Sequence, residues 1–297
     1  LCVLCFGCKP LTFVVGTTPA DQRLASTVVQ SDGTHTANRI AIIDVTGMIM
    51  NTRKPSLLGQ GEQPVSLLQE NLEAARLDPR VKAIILRINS PGGTVTGSDA
   101  MYRLVQRFKE HCGKPVVALI MDVGASGGYY LACSADDIMA YPTSIVGSIG
   151  VIVQTISLQP GLSRIGITAE AITSGPNKDA GSPFSTMTPE QRELLQGLVN
   201  DFYDGFVAVV REARPDLPTE RLTGITDGRV FSGSQAIGVG LIDQIGDLDD
   251  AFTLAKQRAA VTHADLVIYH RPLDYVGSAY AGSQVPVPSS VQVNLAQ

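Results

Sequence analysis

The chain has 297 residues, 44% of them apolar, with 23 Lys+Arg against 28 Asp+Glu and a formal net charge of −5. The apolar content excludes wholesale disorder, and the acidic balance excludes a basic field that would attract nucleic acid. No collagen-like glycine period is present, and no apolar run reaches the ~18 residues of a complete membrane span. Histidine is scarce. His35, His111, His263 and His270 are the only candidates for an imidazole base.

Residues 1–8, Leu-Cys-Val-Leu-Cys-Phe-Gly-Cys, are short and apolar, like the end of an export signal or anchor. Gly7 followed by Cys8 resembles a lipoprotein cleavage site, which would make Cys8 the lipid-modified residue. The run of Cys2, Cys5 and Cys8 lacks a fourth ligand for zinc. Cys112 and Cys133 sit among helical and apolar residues and read as buried thiols. Residues 9–38 are polar and aperiodic, a linker, with order expected from Arg39. A strand is predicted over 40–45, and a helix over 64–77 with Val65, Leu68, Leu72 and Ala75 on one face. A second strand, 81–88, is stopped by Ser90-Pro91-Gly92-Gly93. Ser98 is the expected cap of the next helix, which carries Met101, Leu104, Val105 and Phe108 on its apolar face.

Further along, 116–121 is a strand, Gly124 to Gly128 a turn and 129–134 a helix. Strands are expected over 137–141, 149–154 and 169–173, before a Gly/Pro/Ser-rich loop at 174–185. Thr188-Pro189-Glu190 opens a long helix to about Arg214: Thr caps, Pro takes the first turn, and the acid favours the positive end. Shorter helices follow at 232–237 and 248–259, and the tail from Pro272 reads as loose. The alternation of strands and helices predicts an α/β layer fold with much parallel sheet. Its glycine-rich turns follow strands and precede helices, where ligands approach such sheets.

Two of those turns carry chemistry. Gly124-Ala-Ser126-Gly-Gly128 places a serine where glycines permit a sharp turn and a helix start offers free N–H groups. Ser126 could equally cap the helix. The string also fits the Gly-x-Ser-x-Gly elbow of α/β-hydrolases, for which Asp243 or Asp247 with His263 or His270 would complete a Ser-His-Asp triad in the right order. In Asn89-Ser-Pro-Gly-Gly93, the N–H of Gly93 could join that of Gly127 as a two-donor oxyanion hole, or the segment could be a plain turn. Lys178, alone in a polar loop, would by itself be a solvated charge.

Five ordered segments resemble the bacterial signal peptide peptidase A family of serine–lysine peptidases. They are Asn89 to Gly93, Gly124 to Tyr130, Gly147-Ser-Ile-Gly-Val151, Lys178-Asp179 with Gly181-Ser-Pro183 and Met187-Thr188, and Gly228-Arg-Val-Phe231 with Ala236 to Gly246. The resemblance spans about 39–260, leaving 261–297 as a terminal strand and tail. It implies a Clp protease/crotonase-like spiral of repeated ββα units. It implies Ser126 as nucleophile, Lys178 as general base and Ser148 as a hydrogen-bond partner of the lysine amine. It implies no cofactor or metal, a homo-oligomer of four to eight copies, and cleavage of remnant signal peptides at the exported side of the bacterial cell membrane, with the enzyme anchored there. Crotonase-like acyl-thioester chemistry would not explain Ser126 with Lys178, and an inactive scaffold would not need them.

A serine hydroxyl needs a base within hydrogen-bond reach, and no histidine lies in a motif loop. Lysine can replace histidine only if burial or a neighbouring cation brings its reference pKa of about 10.4 down by several units. Asp179 beside Lys178 would oppose that, so it is expected to turn away and organise its loop. The separation of 178 − 126 = 52 residues excludes a local helical pairing.

Overall fold

The apolar runs of the sequence form one nine-stranded sheet, and the amphipathic segments form helices that cover it. A computed structural model describes residues 23–33, 36–53, 62–272, 274 and 276–281. Strand β1 (Ala25–Ser31) is followed by β2 (Arg39–Thr46), helix α1 (Pro64–Leu77), β3 (Val81–Ser90), α2 (Val95–Cys112), β4 (Val116–Ala125), α3 (Gly127–Ala132), β5 (Asp137–Ala140) and β6 (Ile145–Gly147). Then come α4 (Gln159–Arg164), α5 (Pro189–Ala213), α6 (Thr219–Ile225), β7 (Val230–Ser232), α7 (Gly233–Val239), β8 (Gln244–Ile245), α8 (Leu248–Arg258) and β9 (Asp265–His270).

The main path of the sheet runs β1-β9-β2-β3-β4-β5-β8, parallel except where β1 pairs with β9. Its central strands are apolar on both faces because both faces are buried. Ile43, Leu86 and Ala118 pack with Leu68 and Leu72 of α1 and Met101 and Val105 of α2. Ile42, Ile85 and Leu119, on the other face, meet Leu248, Phe252 and Ala255 of α8. Strand β4 changes partner along its length. Val117 to Ile120 pair with β5, whereas Val123 to Ala125 pair with β6, which hands on to β7 antiparallel. The sheet therefore splits at the end of β4.

The structure corrects several sequence expectations. Residues 25–31, assigned to the linker 9–38, form the edge strand β1. Strand β9 lies between β1 and β2, pairing Arg39 with Asp265. The sheet therefore starts before residue 39 and continues past 260, and these boundaries separate β1 and β9 from the β2 strand that β9 pairs with. Helix α2 is capped by Thr94, whose side chain accepts the Gly97 N–H, rather than by Ser98, whose hydroxyl turns back to the Thr94 carbonyl. The strands expected at 149–154 and 169–173 do not form. Residues 152–158 and 167–174 are exposed, and no neighbouring strand supplies the pairing that β-propensity alone cannot replace. Thr188 does cap α5, with Pro189 in the first turn and Gln191 completing a capping box. Residues 1–8, including Cys8, and His35 lie outside the described residues. Among the described residues no helix is long and apolar enough to cross a membrane.

Part of the tail is held rather than loose. Arg87, on β3, is buried in a bidentate pair with Asp44 on β2, at 2.5 and 2.8 Å. Its guanidinium also donates to the carbonyls of Ala279 and Ala281, while Val276 and Ala279 pack on the α8 side of the sheet. A buried charge stripped of its partner is strongly destabilising, whereas an apolar pair of similar volume is tolerated. Asp44→Ala should lower unfolding free energy by about 3–5 kcal/mol in urea titration, and D44L/R87M should regain most of that loss.

Candidate active site

Ser126 stands where β4 ends and α3 begins, at the split in the sheet. Its backbone (φ 50°, ψ −122°) is one that non-glycine residues rarely adopt. Two bonds hold it there: its N–H donates to the Gly147 carbonyl at 2.8 Å, and its carbonyl accepts the Tyr130 N–H at 2.9 Å. Strand β6 and the first turn of α3 thus clamp the serine from both sides.

The second turn comes from the end of β3. The Gly47 N–H donates to the Asn89 carbonyl, the Ile49 N–H to the Gly92 carbonyl, and the Thr94 N–H to the Ile49 carbonyl. The chain leaving β2 therefore laces this turn in place. A Cβ on Gly93 would lie 1.8 Å from the Ile49 carbonyl oxygen, so only glycine is accommodated. Gly92 has φ +104°, and a Cβ there would stand 2.8 Å from the Ser126 Cβ. A Cβ on Gly127 would be 3.3 Å from the Gly93 nitrogen. The backbone nitrogens of Gly93 and Gly127 are therefore neighbours beside the serine, as a two-donor hole requires.

These groups line one cleft of about 430 Å³. Ser126, Ser148, Gly93 and Gly127 all belong to it, with Val95, Tyr130, Ile152, Phe202 and Phe206 supplying apolar walls. Ser148 also has positive φ, and its N–H donates to the Arg229 carbonyl at 2.7 Å. Tyr130 stacks edge-on against Tyr102 and Phe206, and its hydroxyl donates to Asp99 at 3.1 Å. Burial, with help from Asp99, pushes the Tyr130 phenol above its ordinary range. At the rim, the Arg229 guanidinium holds the Asp227 carboxyl down to about 2. Neither Tyr130, which keeps its proton, nor Asp227, a very weak base, can activate the serine at neutral pH.

Lys178 does not line the cleft; it lies exposed on a turn beyond the irregular segment that follows Ser148. Asp179 is engaged within its own loop, accepting from Ser185 Oγ at 3.1 Å and Gln191 Nε2 at 2.9 Å. The groups needed for a Ser-His-Asp triad are employed elsewhere. His263 contacts Asp32, and His270 contacts Thr27 and the Arg271 carbonyl. Asp243 binds Arg214 and the Ile138 N–H, and Asp247 caps α8. Cys133 is buried, which pushes its thiol up to about 12 and leaves it inert. The sequence reading missed the walls. Phe202 and Phe206 share one face of α5 at helical spacing, a signal indistinguishable from ordinary core packing.

A split parallel sheet with a strained serine elbow opposite a glycine turn defines the class: a Clp protease-like α/β scaffold. The Clp protease profile matches residues 35–174, and that of Peptidase family S49 matches residues 109–262. The chain belongs to peptidase family S49. It is 34% identical over 265 residues to Protease 4 of Salmonella typhi, an alignment covering 88% of this chain and 42% of that protein. It is 30% identical over 247 residues to an Enterococcus faecium protein named for signal peptide peptidase SppA, covering 83% and 71% respectively. It is also 34% identical to the chloroplastic serine protease SPPA of Arabidopsis thaliana over 225 residues, 75% of this chain and 33% of that protein. The alignment thus takes in less than half of the Salmonella and Arabidopsis proteins.

Gly93→Ala tests whether the Gly93 N–H acts as an oxyanion donor. The methyl group must displace the Gly93 turn from the Ile49 carbonyl, and kcat for peptide hydrolysis should fall about 10²–10³-fold, the loss typical of one oxyanion donor. Circular dichroism should show the fold retained.

Proposed function

We propose that the chain is a serine endopeptidase in which Ser126 attacks the peptide carbonyl and Lys178 is the general base. The single observation that carries this is the Ser126 elbow beside the adjacent Gly93 and Gly127 nitrogens in an apolar cleft. Ser126 Oγ forms a bond to the carbonyl carbon as its proton passes to the lysine amine, and the two N–H groups hold the oxyanion. The lysine then protonates the departing amine, and water releases the acyl group from Ser126. Ser148, in the same cleft, orients the amine.

The base must come to the cleft from outside it. The segment that carries Lys178 also exposes apolar side chains to solvent, among them Ile152 (84% exposed), Ile165 (70%) and Ile172 (fully exposed). Such surface favours burial against a partner. The occupant we infer is a second copy of the chain, which covers this arm and brings one copy's Lys178 to the other's Ser126. Repetition around a ring gives the oligomer of four to eight copies. The apolar walls favour uncharged, apolar peptides. With the signal peptide peptidase name of one relative, this supports remnant signal peptides as substrates, cleaved by a membrane-associated enzyme on the exported side of the cell membrane. No cofactor enters this mechanism.

Ser126→Ala and Lys178→Ala should each abolish hydrolysis of an apolar peptide and leave the fold intact. Mixing the two inactive proteins, with subunit exchange, should restore activity, because each supplies what the other lacks; no recovery would place both groups in one copy, and full activity in Lys178→Ala would overturn the dyad. Profiling with peptide libraries should return Leu, Val or Ala next to the cleaved bond, and a strict Arg or Asp preference would contradict the apolar walls.

A further inference from the structure

Strand β4 does not reach Ser126 in regular register. Ile88 of β3 pairs with Ile120 of β4, and the next pair is Ser90 with Gly124, so two steps on β3 stand against four on β4. Three residues of β4, Met121 to Val123, therefore face the single β3 residue Asn89 and bulge out of the β3 ladder immediately before the elbow. Bulges next to active sites re-aim the residues that follow, and their unpaired backbone groups need partners. Asn89 is the β3 residue opposite this bulge. Its side-chain oxygen accepts the Val123 N–H at 3.2 Å, and its amide donates to Asp122 Oδ2 at 2.9 Å. On the other flank, the Ser144 hydroxyl lies against the carbonyls of Ile120 and Met121.

The same Asn89 belongs to the turn that carries the other half of the hole. Its carbonyl accepts the Gly47 N–H at 2.9 Å. The next residue, Ser90, donates to the Gly47 carbonyl, and its hydroxyl accepts the Gly92 N–H at 3.1 Å. One residue therefore grips both turns: through its backbone the one that ends in Gly93, and through its side chain the strand that ends in Ser126.

We infer that Asn89 is a positioning residue for catalysis, and that its side-chain amide, paired with Asp122, sets the distance between the Gly93 N–H and the Ser126–Gly127 turn. It touches no substrate and acts through the bulge. Asparagine suits the task because one side chain must accept from Val123 and donate to Asp122 at once, which neither Asp nor Leu can do. The inference rests on the serine peptidase reading given above.

The test uses the full chain in its assembled state. Asn89→Ala should lower kcat about 10²-fold, the scale of a sub-ångström to 1 Å misplacement, with KM changed less than about threefold because the apolar walls are untouched. Amide hydrogen exchange over residues 121–127 should quicken in the same variant. Asn89→Asp sets two carboxylates against each other and removes the donor to Asp122, and its kcat should fall at least as far as that of Asn89→Ala. The swapped pair N89D/D122N restores one acceptor for Val123 and one donor between the two side chains, and it should return kcat to within about threefold of the unmodified protein. Unmodified kcat together with unmodified exchange in Asn89→Ala would overturn the inference. So would a swapped pair no better than Asn89→Asp alone. Loss of stability with kcat intact would reduce Asn89 to a structural role. Hydrogen exchange reads the bond without turnover, so failure of the peptidase reading would show instead as absence of hydrolysis in the unmodified protein.

Discussion

Two turns from separate strands must approach more closely than side chains permit. The turn ending β3 and the turn ending β4 meet where Gly92 faces Ser126 and where the nitrogens of Gly93 and Gly127 come side by side. A single Cβ on either Gly92 or Gly93 would collide with the other turn or with the Ile49 backbone. The surrounding structure serves this contact. The chain leaving β2 laces the Gly93 turn, β6 accepts the Ser126 N–H, and the bulge in β4 delivers the serine at its strained φ. Strain of this kind, of order 1–3 kcal/mol, persists only where neighbouring bonds over-determine the conformation.

The electrostatics of the cleft divide the work of catalysis between elements. The Gly93 and Gly127 N–H groups belong to turns laced to the sheet, so the fold itself sets their positions. The ionisable groups lining the cleft are both committed, Tyr130 to its proton and Asp227 to Arg229. In the proposed mechanism the serine stays unreactive until a base is delivered. With Lys178 as the proposed base, its place on an exposed arm makes reactivity conditional on the arm being covered.

Local chemistry was readable in the sequence where it was decided locally. Thr188-Pro189 with Gln191 predicts the start of α5, since a capping box is built from residues within one turn. Likewise, Ser90-Pro91-Gly92-Gly93 and Gly124 to Gly128 mark sharp turns because glycine and proline restrict or free the backbone wherever they stand. Where two local candidates competed the reading slipped, as with Thr94 and Ser98, both able to cap α2. The apolar stretches 149–154 and 169–173 have strand composition but no strand partner among the described residues, and composition cannot supply one.

The sequence by itself determined which residues can form the elbow, the glycine turn and the helix caps, because those depend on neighbours a few positions away. It also carried, through five ordered motifs, the resemblance to the peptidase family to which the chain belongs. Only the tertiary structure decided that Gly93, Gly127 and Ser148 share a cleft with Ser126, that β1 and β9 complete the sheet, and that Lys178 stands apart. Those outcomes rest on contacts between residues far apart in the chain, such as Ala25 with His270. Such contacts form only when buried apolar surface on both faces of the sheet offsets the entropy of closing long loops, a balance no local stretch of sequence records.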